Sequence, residues 1–307
     1  MKLGIQLPQT GTQASAENLS RVARLAEDLG YDSLWTFERT LWPINPQEPY
    51  PASPDGKLPE VVQVVFDPLE TLTFVAAQTE RVRLGTSVLV FGYHNPLQLA
   101  RRISTLDQLS GGRVDLGVGL GWSRDEYLAA GTPFPKRGAR GDEFLQLMID
   151  LWTKDPIGFD GEFYHIPESR VGPKPAQKPY PPIYFGGGGA NTFERAARFG
   201  AGWNPSGVAG FDELERSIKE FHETASRLGS ANKDVVLRVL TVVLDSSTGD
   251  IGSPLIGTLD QLRDDFRRLS DMGVTEVLLT VPEVGFIPAT DIESGLLRME
   301  QLIEISK

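Results

Sequence analysis

The 307-residue sequence contains no cysteine, and this absence excludes several kinds of chemistry at once. Without thiols the protein has no disulfide framework, thiolate metal site, catalytic thiol or iron–sulfur cluster. A chain of this length buries a core large enough to stay folded without such cross-links. The lack of cysteine is also compatible with a reducing cytoplasm.

Histidine is nearly as rare, with three residues in the whole chain. His222 lies between Glu220 and Glu223 in a predicted helix, which favours a solvated position, and His165 lies in an inserted segment with a structural role. His94 follows a predicted strand, and it is the imidazole that we place in the substrate pocket. No two histidines show the spacing of metal ligands, so the sequence predicts no metal site.

Positive charge is in the minority: 30 lysines and arginines against 41 acidic residues give a net charge of −11. The basic residues are scattered, whereas nucleic-acid binding requires a basic face. No apolar run is long enough to span a bilayer, and the first residues, MKLGIQLPQTG, lack the apolar core of a signal peptide. The sequence therefore predicts a cytoplasmic protein that binds neither nucleic acid nor membranes.

Short apolar runs alternate with amphipathic helices along the whole chain. The runs are continuous rather than alternating, as expected for parallel strands that are covered on both faces. Eight strands are predicted, at residues 3–7, 33–37, 83–90, 114–119, 182–186, 202–205, 235–245 and 275–281. Eight consecutive strand–helix units predict a single (β/α)8 TIM barrel domain over residues 1–307. An open, doubly wound sheet is the alternative, but the units show no switch point.

Two segments interrupt the alternation and are predicted to be insertions. Residues 38–66 contain six prolines and no periodicity, and residues 155–181 contain a short hairpin pattern followed by a proline-rich run. Loops of this length are usually either functional or disordered. Disorder is the less favoured alternative here, because the two segments contain aromatic residues that need burial: Trp42, Tyr50, Phe159, Phe163 and Tyr164. Because barrel enzymes carry their chemistry at the C-terminal face, we expect both insertions there, as lids or pocket walls.

The predicted strand ends carry mostly glycines and amides. Only Glu38, Asp245 and Glu283 supply carboxylates there, and no strand ends in a lysine. A glycosidase needs two opposed carboxylates, and a Schiff-base enzyme needs a lysine. The pattern favours a barrel in which a bound cofactor supplies the chemistry.

Two glycine-rich turns are candidates for cofactor contact. Gly117–Trp122 follows the fourth predicted strand, and four consecutive glycines, Gly186–Gly189, lead directly into a helix. The N–H groups and the dipole at a helix start favour an anion. A turn that only needs positive φ would use one or two glycines rather than four. The pattern alone leaves a phosphate site and a tight turn both open.

Several segments together resemble the luciferase-like monooxygenase superfamily. They cover nearly the whole chain and occur in this order: GYDSLWTFER, ERVRLGTSVLVFGYHNP, LARRISTLDQLSGGRVDLGVGLGWSRDEYLAAG, RGARGDEFLQLMIDLW and PPIYFGGGGANTFERAARFGAGW. A further segment, LWPINPQEPYPASPDGKLP, is similar to the branch that depends on the deazaflavin coenzyme F420. The combination of segments is highly specific.

The resemblance implies positions for the coenzyme. Ser87–Val88 would be a non-prolyl cis peptide that supports the concave face of the deazaflavin ring. Gly119, Gly121 and Trp122 would lie beside the ring. The phosphate would be held by the glycine run and the helix start, namely by Gly187, Gly188, Gly189, Ala190, Asn191 and Thr192.

Coenzyme F420 also carries an anionic oligoglutamate tail, which FMN lacks. Basic residues at the pocket mouth would therefore favour F420 over FMN. Four such residues are expected there, among them the assigned cofactor residue Arg140: Arg137, Arg140, Arg170 and Lys174.

The chain departs from the superfamily's sugar-phosphate dehydrogenases at three places. Their Asp-His pair after the second strand is Glu38-Arg39 here, and a glutamate of theirs is Trp122. Their Gly-Asp-Gly-Trp segment reads Gly-Ala-Gly-Trp at residues 200–203. Because Arg39 is permanently cationic, it cannot be a general base, and we do not expect the sugar-phosphate reaction.

The sequence leaves three functions open. The leading hypothesis is an F420-dependent oxidoreductase that transfers hydride to or from a small organic substrate, with Glu38 and Arg39 as catalytic residues and with Trp42 and His94 in the substrate pocket. The alternatives are an FMN-dependent monooxygenase served by a separate reductase and a non-catalytic flavin-binding protein. The resemblance also implies a homodimer formed through the second and third helices.

Overall fold

The computed structural model describes residues 1–53, 55–206, 210–247, 252–284 and 292–306. Its strands are β1 (Lys2–Gln6), β2 (Ser33–Thr36), β3 (Arg83–Thr86), β4 (Leu89–Val90), β5 (Val114–Gly119), β6 (Ile157–Asp160), β7 (His165–Ser169), β8 (Ile183–Gly186), β9 (Gly202–Asn204), β10 (Asp234–Leu240), β11 (Val242–Val243), β12 (Ile256–Gly257) and β13 (Glu276–Thr280). Its α-helices are α1 (Ala16–Leu29), α2 (Pro68–Ala76), α3 (Pro96–Leu109), α4 (Arg124–Ala129), α5 (Arg137–Thr153), α6 (Ala190–Phe199), α7 (Phe211–Arg227), α8 (Leu259–Asp271) and α9 (Ile292–Ile305).

Eight parallel strands close into a barrel in the order β1, β2, β3, β5, β8, β9, β10 and β13, and β13 pairs with β1. The short strand β4 continues from β3 and pairs with β5. The (β/α)8 TIM barrel predicted from the repeated units is confirmed, and the open doubly wound sheet is excluded because the sheet closes on itself.

The helices begin where the sequence carries capping signals. The Asp67 side chain accepts hydrogen bonds from the first N–H groups of α2, and Pro68 occupies the first helical position. Asn95 and Pro96 start α3 in the same way. Such side chains satisfy N–H groups that have no partner inside the helix, while proline has no N–H to satisfy.

The barrel interior contains a small aromatic and aliphatic cluster, formed by Trp35, Tyr184, Val236 and Leu278. Trp35 fits because the facing residue on β3 is glycine: a Cβ on Gly85 would lie 2.3 Å from Cε3 of the indole. A larger apolar cluster fills the space between the strands and the helices. Together these cores hold the strand ends in fixed positions.

Paired polar groups close the amino-terminal end of the barrel. The Trp35 indole N–H donates to Ser33 Oγ at 2.6 Å, and the Ser33 hydroxyl donates to the buried Glu276 carboxylate. Arg83 forms an ion pair with Asp115, which is also buried. Burial raises the pKa of Glu276 to about 7 and also raises that of Asp115.

The insertion at residues 38–66 lies at the C-terminal ends of the strands, as expected. It leaves β2 and returns at α2, and Gln9 fastens both ends of it. The Gln9 side-chain amide donates to Phe37 O at 3.0 Å and to Phe66 O at 2.8 Å, and its oxygen accepts from Phe37 N at 2.7 Å. We call residues 38–66 the lid.

The second insertion connects the two ends of the barrel. Residues 155–181 follow a helix and lead into β8, so they start and end at the amino-terminal end of the barrel strands. The β6–β7 hairpin packs along the outside of α5 and reaches its first turns, where Glu143 accepts the N–H groups of Phe163 and Tyr164. At the start of this helix Lys136 pairs with Glu162 at 2.8 Å. Because α5 starts at the C-terminal face, the tip of the hairpin lies towards that face although its two ends do not.

Two kinds of feature are absent from the described parts of the chain. No helix there is long and apolar enough to cross a membrane. No cluster of three or more histidine, aspartate or glutamate side chains there could hold a metal ion.

Candidate cofactor-binding site

A cavity of about 500 Å³ opens at the C-terminal ends of the barrel strands. Its walls come from the residues that follow β2, β4, β5, β8 and β9, from β10, and from the lid. This volume is within the usual range of small-molecule sites, and the C-terminal face is where barrel enzymes carry their active sites.

Val88 forms one wall of the cavity, immediately after a non-prolyl cis peptide bond between Ser87 and Val88. The cis bond lies where the resemblance implied it. Glycines on two neighbouring strands make room for the valine: a Cβ would lie 2.9 Å from Val88 at Gly119 and 2.7 Å from it at Gly186. The Ser87 hydroxyl donates to Asn204 at 2.7 Å, which fixes the position of the wall.

Gly121 and Trp122 form the wall next to the lid. Gly121 has φ of 70°, and a Cβ there would lie 2.6 Å from Val90. The Trp122 ring lies between the Arg39 guanidinium, 5.1 Å from its centroid, and the Tyr50 ring of the lid, with centroids 5.5 Å apart. Trp122 therefore connects the barrel to the lid across the cavity.

The glycine run forms a turn that is open to solvent and to the cavity. Gly187 and Gly189 have φ of 94° and 82°, and Gly186 packs tightly against Val88. At three of the four positions, backbone conformation or packing therefore requires glycine, and only at Gly188 is there no such requirement. The number of glycines therefore argues less for a phosphate site than the sequence pattern indicated.

The position of this turn is stronger evidence for a phosphate site than the number of its glycines. Gly187, Gly188 and Thr192 line the cavity, and residues 187–191 are exposed. Helix α6 starts at Ala190, and no side chain caps its first turn among the described residues. The Thr192 N–H already donates to Gly189 O at 2.9 Å, so the N–H groups of Ala190 and Asn191 are the ones available to an anion. Ala190 and Asn191, the other two residues predicted to contact phosphate, belong to this first turn.

Only one of the four basic residues expected at the mouth of the cavity lines its wall, and that residue is Arg137. Arg140 donates to the carbonyls of Pro133 and Pro135 and lies outside the wall. Arg170 is exposed on the second insertion, and Lys174 donates to two carbonyls near the C-terminal end of α5. These last two expectations failed because the second insertion lies on the outside of the barrel.

Glu38 and His94 form a close pair at the cavity wall. His94 Nε2 lies 2.7 Å from Glu38 Oε1, and Glu38 Oε2 accepts the N–H of Val90 at 2.7 Å. Glu38 faces the cavity, whereas His94 lies behind it and is not part of the lining. His94 therefore does not contact the candidate pocket directly, but it contacts Glu38, which does.

Arg39 is held by a carboxylate that sequence reasoning did not identify. Arg39 Nη1 lies 2.6 Å from Oε2 of Glu126, whose side chain is 2% exposed. Glu126 also accepts Thr40 N at 2.7 Å and the Tyr93 hydroxyl at 2.9 Å. Burial raises the pKa of Tyr93, and the negative charge of Glu126 adds to this shift. Glu126 was missed because Ser-x-x-Glu at residues 123–126 is typical of a helix cap.

Three consecutive residues of α4 fasten the lid. Arg124 pairs with Glu48 at 2.5 Å, Asp125 accepts two hydrogen bonds from Gln47, and Glu126 binds the beginning of the lid. The lid is therefore attached along one side to a single short helix.

Trp42, which was expected in the substrate pocket, does not line the cavity. Its indole N–H is buried and has no partner among the described residues. The lid instead contributes Tyr50, Leu58 and Val62 to the wall. The sequence predicted that the lid forms a wall, but it did not indicate which lid side chains point inward.

A second functional candidate missed by sequence reasoning is Arg238, on β10. It lines the floor of the cavity and lies 5.0 Å from the Phe37 ring centroid. In the sequence it stands inside the apolar run VVLRVL, where nothing indicates whether it faces the barrel interior or the helices.

A family model described as luciferase-like monooxygenase matches residues 1–249. The chain belongs to this family. It is 34% identical over 267 residues to an uncharacterized protein of Mycobacterium tuberculosis, covering 85% of this chain and 86% of that protein. It is 32% identical over 233 residues to an F420-dependent glucose-6-phosphate dehydrogenase of Amycolatopsis mediterranei, covering 71% of this chain and 65% of that protein.

Solved structures share the fold at lower sequence identity. The monooxygenase RslO1 of Streptomyces bottropensis aligns with a TM-score of 0.81 at 22% identity, covering 99% of this chain and 98% of that one. An F420-dependent secondary alcohol dehydrogenase in complex with an F420–acetone adduct aligns with a TM-score of 0.78 at 17% identity, covering 100% and 99%. A Type II Baeyer-Villiger monooxygenase in complex with FMN shares the fold with a TM-score of 0.76 at 15% identity. The F420-dependent relative at 32% identity supports the F420-dependent branch of the family.

Proposed function

We propose that this protein is an oxidoreductase that binds coenzyme F420 in the 500 Å³ cavity and acts on a small organic substrate. The observation that carries the proposal is the continuity of that cavity, which joins the Val88 wall, the open turn before α6 and Arg137. A relative that is named for F420 dependence and is 32% identical over 71% of the chain supports F420 over FMN.

The residues present fit such a coenzyme. Val88 offers an apolar support for a flat ring, and the walls beside it approach closely because glycines occupy positions 119 and 186. The exposed N–H groups before and within the first turn of α6 would hold a phosphate, with Arg137 supplying a positive charge. When bound, F420 accepts or supplies the hydride at C5 of its deazaflavin ring.

The protein's own residues would position the substrate and handle a proton. Glu38 faces the cavity, and His94 and the N–H of Val90 hold its two carboxylate oxygens in place beside the substrate space. Arg39 is fixed by Glu126 and contributes a positive edge beside Trp122. The lid excludes water from the space between them.

A glucose-6-phosphate dehydrogenase reaction is not part of the proposal. Arg39 replaces the histidine of those enzymes and cannot accept a proton. The imidazole of His94 does not line the cavity, so it does not replace that histidine in direct contact with a substrate. We therefore propose a substrate other than a sugar phosphate.

The deciding experiment titrates the purified chain with F420 and with FMN and then measures turnover with a panel of alcohols, aldehydes and enones. We expect tighter binding of F420 and hydride transfer with at least one substrate. Tight binding of FMN without measurable F420 binding would overturn the proposal and favour a monooxygenase that needs a separate reductase. Binding of either coenzyme with no turnover would favour a non-catalytic binding protein.

The role of the Glu38–His94 pair is tested by the pH dependence of turnover. Glu38→Gln is expected to lower kcat by about 100-fold, as is usual for loss of a positioned acid or base. His94→Gln is expected to move the pH optimum with little change in KM. Unchanged pH profiles in both variants would show that the pair is structural.

We also propose that two copies associate through α2 and α3, as the family resemblance implies. Phe74 of α2 and Leu109 of α3 are exposed apolar side chains on this side of the barrel. Light scattering should give the mass of a dimer, and Leu109→Glu should shift it to a monomer. A monomeric wild-type protein would refute this part of the proposal.

A further inference from the structure

Arg238 is a half-buried cation in the cavity floor, and it has no matching carboxylate in the described part of the chain. Its guanidinium Nη1 donates to Ser87 O at 2.8 Å and Nη2 donates to Gln6 Oε1 at 2.7 Å, while Nε makes a long contact of 3.4 Å with Thr280 Oγ1. A guanidinium has five N–H donors, so one donor on each terminal nitrogen is left over. None of the described carboxylates forms an ion pair with it.

The two carboxylates that line the same cavity are already engaged. Glu38 is bound by His94 and the N–H of Val90. Glu126 is bound by Arg39 and Thr40, among others. Neither is available to balance the charge of Arg238 without breaking contacts that shape the wall.

Arg113 is an arginine of this protein whose hydrogen-bond donors are all used within the fold. It also has no ion pair with a described carboxylate, but it makes five hydrogen bonds, all to carbonyl and hydroxyl oxygens. It is absent from the cavity lining. Burial lowers the pKa of both arginines. Arg238 therefore differs from Arg113 in two respects that both point to a ligand, its unused donors and its place in the cavity.

We propose that Arg238 makes the floor of the cavity a subsite for a planar, delocalised anion such as a carboxylate. The fork of a guanidinium matches the two oxygens of such a group, and its charge is strongest where water is excluded. The anion has two chemical sources, a carboxylate-type group on the substrate or the deprotonated ring edge of a reduced coenzyme. Only the choice between them rests on the proposed function.

The subsite is tested on the full chain without coenzyme, by calorimetric titration with acetate and benzoate and with their neutral counterparts acetamide and benzamide. We expect each carboxylate to bind at least about tenfold more tightly than its amide, as the loss of one charge-assisted hydrogen bond implies. Arg238→Gln should abolish this preference. Arg170→Gln, which removes the same charge from an exposed position, should leave the preference intact.

Equal binding of acid and amide by the wild type, or an unchanged preference in Arg238→Gln, would overturn the subsite. If Arg238→Gln does not fold, the side-chain Nε–H signals of the wild type decide by NMR. The arginine signal that benzoate shifts should then be the one missing from Arg238→Lys, and a shift of any other arginine signal would count against the subsite.

The source of the anion is assigned by titrating F420 and FMN in the presence of saturating benzoate. Competition between benzoate and coenzyme would support a subsite for the coenzyme ring, and simultaneous binding would support one for the substrate. Failure of both coenzymes to bind would refute the proposed function, while the acid–amide comparison would still decide the subsite.

Discussion

The two ends of the barrel differ in how completely their polar groups are paired. At the amino-terminal end, Trp35, Ser33 and Glu276 form a hydrogen-bonded chain, and Arg83 pairs with Asp115. At the C-terminal end, Arg238 keeps unused donors and the first turn of α6 has no side-chain cap among the described residues.

This difference distinguishes polar groups that stabilise the fold from polar groups that are available to a ligand. Buried polar groups that are fully paired within the protein stabilise one arrangement of the chain. Groups that lack partners reduce stability, and proteins retain them where a ligand completes the pairing. Substitutions at four positions test whether the two ends differ in the roles of their polar groups.

The largest effect is expected for Glu126, because it is a fully paired carboxylate at the C-terminal end. Glu126→Ala leaves Arg39 buried without a counter-charge, which typically lowers the free energy of unfolding by about 3–5 kcal/mol. Urea denaturation measures the change. Asp125→Ala is the control, since it removes only the contacts with Gln47 and should lower stability by about 1 kcal/mol. Equal effects would mean that Glu126 is not the main fastening of the lid.

The next effect concerns Glu276 at the amino-terminal end. Its folded pKa of about 7 lies above the ordinary value of 4.5, so the folded protein holds a proton that the unfolded chain releases. The carboxyl group therefore stabilises the fold fully below pH 4.5, and this contribution, on the order of 3 kcal/mol, is lost as the pH rises through 7. Denaturation at several pH values should show a flatter profile for Glu276→Gln. Parallel profiles would contradict the raised pKa.

A smaller effect is expected for Arg137 at the rim of the cavity. Arg137→Gln should weaken binding of the phosphate-bearing coenzyme about tenfold, and the loss should shrink as salt is added. Arg140→Gln serves as the comparison, because that guanidinium is engaged by Pro133 and Pro135 outside the wall. A greater loss of affinity for Arg140→Gln would restore the original assignment of that residue.

The smallest effect is expected for Gly188, the member of the glycine run without a structural requirement. An alanine Cβ there meets nothing within 4 Å, so stability should change by less than about 0.5 kcal/mol. Coenzyme affinity should nevertheless fall about threefold if a phosphate occupies that space. Gly158→Ala in the outer hairpin is the control for both measurements, and Gly187→Ala should lower stability because φ is positive there. Unchanged affinity in Gly188→Ala would place the phosphate elsewhere.

The architecture could be predicted because it depends on local signals. Units of a strand-like apolar run followed by a helix repeat eight times, and this repetition leaves few alternatives to a closed barrel. Residues 155–181 were harder to place, because they follow a helix and their ends lie at one end of the barrel while the hairpin tip reaches towards the other.

The site could be predicted only where backbone determines it. The turn at Gly186–Gly189 was indicated by a run of neighbouring residues, and the cis bond at Ser87–Val88 was implied by the family resemblance of its strand. Glu126 and Arg238 act through partners that are far away along the chain, such as Arg39 and Ser87. Pairings over 80 or more residues leave no local pattern, so the structure was needed to find them.

Gln9 holds both ends of the lid. One side chain joins Phe37 to Phe66 and thereby fixes the distance between the two ends of the lid, whatever lies between them. A replacement for residues 41–65 would meet the same two anchors and keep Glu38 and Arg39, but it would lose the contacts that Gln47 and Glu48 make with α4. Exchanging this segment would change the pocket wall that the lid forms, with the coenzyme wall around Val88 and the turn before α6 left as they are.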